Sequence, residues 1–281
     1  MTTITTKKAD EPHAAVSPMT VLVVGATGSI GHLVVEEAIR QGCTVRALVR
    51  NRGKAGAPPT EVQVVVGDVT RPETLSDAVD GVDAVVFTLG SDGAGKVGAE
   101  TVDYGGVRNV LRALGNRTVR IALMTAIGVT NRTGTYNRKT EAHDWKRRSE
   151  RLVRVSGLPY TIVRPGWFDY NRADQHRLML LQGDTNQAGD ASDGVVARRQ
   201  IAEVLVHSLV SNRATRKTFE LVAATGPAPK DFDQLFAPLE ADPPGGLDGV
   251  HDTPNMPLDN EPQRVRDDLN AIRAHKFSPA P

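Results

Sequence analysis

The chain has 281 residues, with 34 Lys and Arg against 33 Asp and Glu and a net charge of +1. That balance excludes a global field for nucleic acid or an anionic membrane, and no apolar run is long enough to cross a bilayer. The hydrophobic content of 40% supplies a buried core for one large α/β domain or two small ones, and an aromatic content of 4% leaves few rings to stack bases. Cys43 is the only cysteine, so an intramolecular disulfide and a cysteine-based metal site are excluded. The histidines show no zinc-binding spacing, and no metal is expected. Residues 1–19 lack the apolar core of a signal peptide and are expected to form a disordered tail on a cytoplasmic protein.

The run Val21 to Val24 predicts a strand that stops at Gly25 and restarts as an amphipathic helix, Ile30 to Arg40. Further strands are expected at Thr44–Val49, Val62–Val66 and Asp83–Thr88, with a helical stripe over Leu75–Val79. A helix over Ala99–Leu114 precedes a fifth strand, Ile121–Met124. A basic helix, Asp144–Val155, precedes a sixth, Tyr160–Val163. Strands separated by helices of this length predict an α/β, doubly wound, mostly parallel Rossmann sheet, with ligands at the carboxyl ends of the strands. Gly25, Arg50, Asp68, Gly90, Thr125 and Pro165 all sit at those ends. Beyond about residue 167 the pattern weakens, and a helix Ile201–Val210 and a strand Thr218–Val222 are assigned to a small C-terminal substrate-side cap. The domain is therefore bounded at 20–226. Residues 227–281 form a Pro/Gly-rich extension with a terminal helix, Glu261–Ala274, free to wrap the core, reach a partner subunit or stay partly disordered.

Gly25, Gly28 and Gly31, with Thr27, Ser29 and Ile30 between them, form a G-x-x-G-x-x-G turn between strand and helix. The first glycine permits the tight turn, the second leaves room for a phosphate, and the third lets helix and strand pack closely. The ligand expected is a dinucleotide, its pyrophosphate at the helix N-terminus. The second strand ends in Arg50, with Arg52 two residues on, and no Asp or Glu lies between Glu37 and Glu61. Two guanidiniums suit a 2′-phosphate, so NADP(H) is expected over NAD. Asp68 and Val69 end the third strand where an adenine would lie, Leu89 and Gly90 open the loop beside the nicotinamide, and Pro165 and Gly166 end the sixth strand. Trp167, Phe168 and Tyr170 follow and are read as an apolar wall for a flat substrate or, equally, as core packing.

The run Gly90 to Val97 nearly matches a nucleoside-triphosphate loop, but Val97 replaces the hydroxyl that would hold Mg²⁺. Arg147, Arg151 and Arg154 share one helix face with Lys146 and Arg148 nearby, and are expected to be solvated.

The pieces Gly25–Gly31, Leu48-Val49-Arg50, Gly67-Asp68-Val69, Val102-Asp103-Tyr104, Met124-Thr125-Ala126 and Ser156–Gly166 resemble, in this order, the atypical short-chain dehydrogenase/reductase superfamily. The likeness is strongest to its NmrA-like and flavin/biliverdin reductase-like branches and spans residues 20–225. The resemblance implies a catalytic hydroxyl at Thr125 and a ribose-binding lysine at Lys146. It also implies a tyrosine four residues before that lysine, where this chain has Ala142. Tyr136 is the substitute within reach, His143 a further one, and Asp103 stands where many relatives carry Asn.

The reading is an NADPH-dependent reductase passing hydride to a small hydrophobic or conjugated acceptor such as a quinone, flavin or enone. The alternatives are a non-catalytic NADP-binding redox sensor or regulator, and an isomerase or dehydratase on the same scaffold. The partner expected is a small-molecule substrate, with no nucleic acid and no membrane, on a monomer or homodimer.

Overall fold

A computed structural model describes residues 18–55, 59–91 and 93–275 of the protein. In chain order it contains β1 (Thr20–Val24), α1 (Gly31–Arg40), β2 (Thr44–Val49), β3 (Val62–Val66), α2 (Ser76–Val79) and β4 (Ala84–Phe87). Then come α3 (Gly95–Gly98), α4 (Gly105–Leu114), β5 (Arg120–Met124), α5 (Thr135–Thr140), α6 (Ala142–Ser156) and β6 (Tyr160–Pro165). The chain closes with β7 (Trp167–Phe168), β8 (Arg177–Leu181), β9 (Val195–Val196), α7 (Arg198–Val210), β10 (Lys217–Ala224), α8 (Phe232–Phe236) and α9 (Gln263–His275). A π-helical turn, Ala99–Tyr104, joins α3 to α4. The expected N-terminal tail falls largely outside the described residues.

The main sheet has eight strands in the order β3-β2-β1-β4-β5-β6-β10-β8. All are parallel except β8, which runs antiparallel to β10 at the edge. Alternation along β1 shows why both faces must be covered. Leu22 and Val24 enter a core with α2, α4, α6 and α9, while Val21 and Val23 enter another with α1, α7 and α8. A parallel sheet buries both faces in this way, and each fully buried Val or Leu side chain contributes roughly 1.5–3 kcal/mol.

Two expectations are corrected. The segment Thr218–Val222, assigned to a cap, lies in β10, paired with β6 through Lys217↔Thr161 to Leu221↔Pro165. The helix assigned with it, α7, packs against α1, β5 and β6 as part of the second helical layer. What stands outside the main sheet is the small β7–β9 pair.

The arginine face of α6 is also not solvated: Arg147, Arg148, Arg151 and Arg154 are buried. The chain beyond β10 lies across this helix and brings a carboxylate to each. Arg147 and Arg151 pair with Asp248 at 3.0 and 2.8 Å, Arg148 with Glu261 at 2.6 Å, and Arg154 with Asp242 at 3.1 Å. Asp268 of α9 reaches Arg112 at 2.7 Å and accepts from the Tyr104 hydroxyl at 2.9 Å. Buried charges survive only when paired and hydrogen-bonded, so this strap and the arginines depend on each other.

Candidate functional site

The strand order reverses between β1 and β4, which opens a crevice at their carboxyl ends where ligands of such sheets bind. The glycine turn lines it. Gly25 has φ +95°, and a Cβ there would stand 2.8 Å from Thr88 Oγ1. A Cβ on Gly31 would stand 2.0 Å from the Gly25 carbonyl oxygen, so the third glycine is fixed by close backbone approach. Thr27, Gly28 and Ser29 stay exposed, and the first turn of α1 carries no acidic residue. The N-terminus of α1 and its dipole therefore face an open cradle, with no acidic residue in the first turn, that fits a pyrophosphate.

At the adenosine end, Arg50 and Arg52 are exposed beyond β2, and Arg52 also donates to the Val64 carbonyl at 3.2 Å. Asp68 accepts from the Thr70 amide and hydroxyl at 2.9 and 2.8 Å. Partial burial raises its pKa, but those bonds and the charges of Arg50 and Arg71 outweigh burial and hold the carboxyl below its usual range. Val69 is buried and its carbonyl accepts from Asn109 Nδ2 at 2.7 Å. The Val69 and Leu89 side chains meet over Gly106, where a Cβ would lie 2.7 Å from Leu89 Cδ1. They form an apolar wall that leads to exposed Gly90.

The nicotinamide end differs from expectation at Thr125. Its hydroxyl donates to Glu150 Oε1 at 2.7 Å, and both residues are buried. Glu150 also accepts from Arg164 Nε and Nη2 at 3.0 and 2.7 Å and pairs with Arg154. Burial pushes its pKa up, but the Arg164 charge and bonds outweigh this and hold it down, at about 2. A carboxylate accepts only, so the Thr125 hydroxyl directs its proton to Glu150 in the core.

Lys146 Nζ donates to Asp103 Oδ1 at 2.8 Å, and the lysine keeps two further donors. Asp103 lies on the π-helical turn and is 4% exposed, and its Oδ2 has no hydrogen-bond partner among the described residues. Ala142 is buried, so the position where the resemblance implies a tyrosine points into packing. Tyr136 is 59% exposed on α5, separated from Lys146 by the break at Glu141 (φ +55°). Its ring packs on His143 with centroids 5.1 Å apart. Burial lowers the His143 pKa, so this imidazole is neutral near pH 7.

Residues far apart in sequence complete the site. Asp184 is fully buried and accepts from the amides of Gly128 and Thr130 at 2.6 and 2.7 Å, fixing the loop after β5. Lys96 of α3 pairs with Glu141, between α5 and α6, at 2.7 Å. Neither pairing has a local sequence signal, because the partners are 54–56 and 45 residues apart. At the end of β6, Pro165 and Gly166 are buried, and a Cβ on Gly166 would stand 2.4 Å from the Gly194 carbonyl oxygen. Trp167 and Tyr170 are exposed and meet edge to face at 6.2 Å, while Phe168 is half-buried. Core packing therefore accounts for Phe168 in part and not for the other two rings. Among the described residues, no helix is long and apolar enough to cross a membrane.

Known proteins are similar to this chain in sequence and fold. A chloroplastic protein of Arabidopsis thaliana is 30% identical over 249 residues, covering 79% of this chain and 76% of its own length. Sanguinarine reductase of Eschscholzia californica is 26% identical over 262 residues, covering 78% and 95%. The structure of an anaerobillin reductase from Escherichia coli O157:H7 superposes with a TM-score of 0.59 at 23% identity, covering 75% of this chain and all of that one. The model of a family described as NAD(P)H-binding matches residues 25–212, from the first turn glycine to just past α7. A pyridine nucleotide is thus the cofactor, and this chain belongs to the NAD(P)H-binding Rossmann family, which has reductases among its members.

Proposed function

We propose that the protein is an NADPH-dependent reductase acting on a small, flat, conjugated acceptor such as a quinone, flavin or enone. The observation that carries this reading is the pair of exposed rings, Trp167 and Tyr170, just beyond the carboxyl end of β6. The name of sanguinarine reductase supports reductase chemistry in a relative of this chain. Reduced nicotinamide, when bound, supplies hydride. The chain's part is to bind, orient and exclude, which is what hydride transfer chiefly needs from a protein. Gly28 and Ser29 would take the pyrophosphate, Arg50 and Arg52 the 2′-phosphate, and Asp68, Val69 and Leu89 the adenine. Leu89, Gly90, Pro165 and Gly166 would flank the nicotinamide. Lys146, its ammonium steadied by Asp103, would hold the ribose hydroxyls.

With Ala142 buried, Thr125 committed to Glu150 and His143 neutral, the acid–base group that the resemblance implies is not assembled here. An acceptor that draws its proton from water needs none, and such acceptors are the ones proposed. The same three residues favour a second reading, a cytoplasmic NADP-binding sensor without turnover. Following NADPH oxidation at 340 nm against quinones, flavins and enones separates the two. Turnover with at least one acceptor is expected, and tight NADPH binding with no turnover on any selects the sensor. Titration of NADPH against NADH tests the arginines, and equal or tighter NADH binding removes Arg50 and Arg52 from the 2′-phosphate.

A further inference from the structure

Arg198 opens α7 beside the glycine turn, and neither its place in the sequence nor the family match gives it a role. Its Nε donates to Ser29 Oγ at 3.2 Å. One terminal nitrogen pairs with the Asp169 carboxylate, and the Arg198 amide donates to Asp169 Oδ1 at 3.0 Å. The guanidinium lies 5.3 Å from the centroid of the Phe168 ring. One group thus touches the phosphate cradle on one side and the aromatic loop on the other. The helix that carries it is held in place separately, by packing against α1, β5 and β6.

We propose that Arg198 binds the pyrophosphate of the dinucleotide and couples its arrival to the Trp167–Tyr170 loop. The proposal deepens the cofactor reading and rests on it. A guanidinium holds five donors in a fork suited to phosphate oxygens, and here it stands against Ser29, an exposed hydroxyl in the turn that begins α1. Its present partner, Asp169, adopts φ +60°, a left-handed conformation that a non-glycine residue rarely takes. The side chains of this pair remain partly exposed, 35% for Arg198 and 47% for Asp169. Such a pair adds little to stability. A diphosphate at the turn competes with Asp169 for the guanidinium, and the backbone that carries Phe168 and Tyr170 is what Asp169 would release.

The test is a fluorescence titration of NADPH and of NADH on the full chain and on Arg198→Ala, Arg198→Lys, Asp169→Asn and Arg50→Ala. Pyrophosphate is common to both nucleotides. Arg198→Ala is therefore expected to raise both Kd values by the same factor, about tenfold for a charge-assisted hydrogen bond, with Arg198→Lys between it and the wild type. Arg50→Ala should weaken NADPH alone. Asp169→Asn removes the competing charge and should tighten both nucleotides by about twofold to threefold. With Trp145→Phe as background, NADP⁺ should shift the emission of Trp167, and Arg198→Ala should abolish that shift. Unchanged affinities in Arg198→Ala overturn the proposal, as does a loss confined to NADPH. So does a loss in Asp169→Asn equal to that in Arg198→Ala, which would make the pair a structural brace. A wild-type chain that binds neither nucleotide overturns the cofactor reading itself, and the proposal with it.

Discussion

The Thr125 hydroxyl and the Glu150 carboxylate form one buried unit, 2.7 Å from donor to acceptor. In the resemblance Thr125 stands for a catalytic hydroxyl, whereas here it braces the end of β5 against α6. The two roles differ in what a substitution removes. Thr125→Val keeps the shape and deletes one hydrogen bond to a charged acceptor, at a cost of about 1.5–3 kcal/mol. Urea unfolding should register that cost. NADPH affinity and turnover with the best acceptor should change less than about threefold, against the 10²–10⁴-fold loss of a missing acid–base group. Thr125→Ser should restore stability. A turnover loss of 10²-fold or more in a folded Thr125→Val protein would return the hydroxyl to the chemistry.

Glu150 sets an acid limit on the fold. Its folded pKa, about 2, lies below the ordinary 4.5 because Arg164 and Arg154 outweigh burial. The stabilisation is therefore fully present above pH 4.5 and is lost as pH falls from there through 2. The loss is on the order of 3 kcal/mol. Thr125→Val removes one of the bonds that favour the charged form, so its acid limb should begin at higher pH than that of the wild type. Urea midpoints between pH 5 and pH 2.5 read both effects. Coincident limbs would mean that the hydroxyl does not help hold the carboxylate charged.

Strands β1 to β6 were legible because their signal is local: a short apolar run that breaks off at a turn or polar residue such as Gly25, Arg50 or Asp68. The glycine turn was legible for the same reason. Other features depend on partners the chain supplies much later. The α6 arginines resemble a solvated face because Asp248 and Glu261 lie 97 and 113 residues from Arg151 and Arg148. The edge strand Arg177–Leu181 has alternating exposure that merges with loop composition. Thr218–Val222 looks like a cap strand because nothing local reveals pairing with β6. Asp184, Arg198 and Glu220 became visible only through tertiary contacts.

Glu220 sets a limit on the opposite side of neutrality. It lies on β10, accepting from the Asp184 amide at 3.1 Å and from Arg164 at 3.3 Å. Burial raises its pKa to about 7, helped by the charges of Asp184 and Asp252 and opposed by that of Arg164. A carboxyl raised in the folded state favours folding when protonated. Its contribution is full below the ordinary 4.5 and is lost as pH rises through 7. Glu220→Gln keeps an acceptor for the Asp184 amide and cannot ionise. Its stability relative to the wild type should improve between pH 5 and pH 8 by on the order of 2–3 kcal/mol. Parallel stability curves for the two proteins over that range would show that Glu220 is ionised throughout.

The strap and α6 should be stable only together, and Asp248 is where this is sharpest. One carboxylate serves two guanidiniums, on Arg147 and Arg151, that are 0% and 1% exposed. Asp248→Asn keeps the volume and removes the charge. Both arginines then stay buried with less compensation, at a cost of about 3–5 kcal/mol. Asp80, paired with Arg117 at 3.2 Å on the surface, is the control, and Asp80→Asn should cost under about 1 kcal/mol. Adding Arg151→Met to Asp248→Asn removes one uncompensated charge, so the double variant should be more stable than Asp248→Asn alone. A positive coupling energy from denaturation of the four proteins in that cycle identifies a mutual clamp. Strict additivity would mean that the strap is held by packing, with its carboxylates incidental.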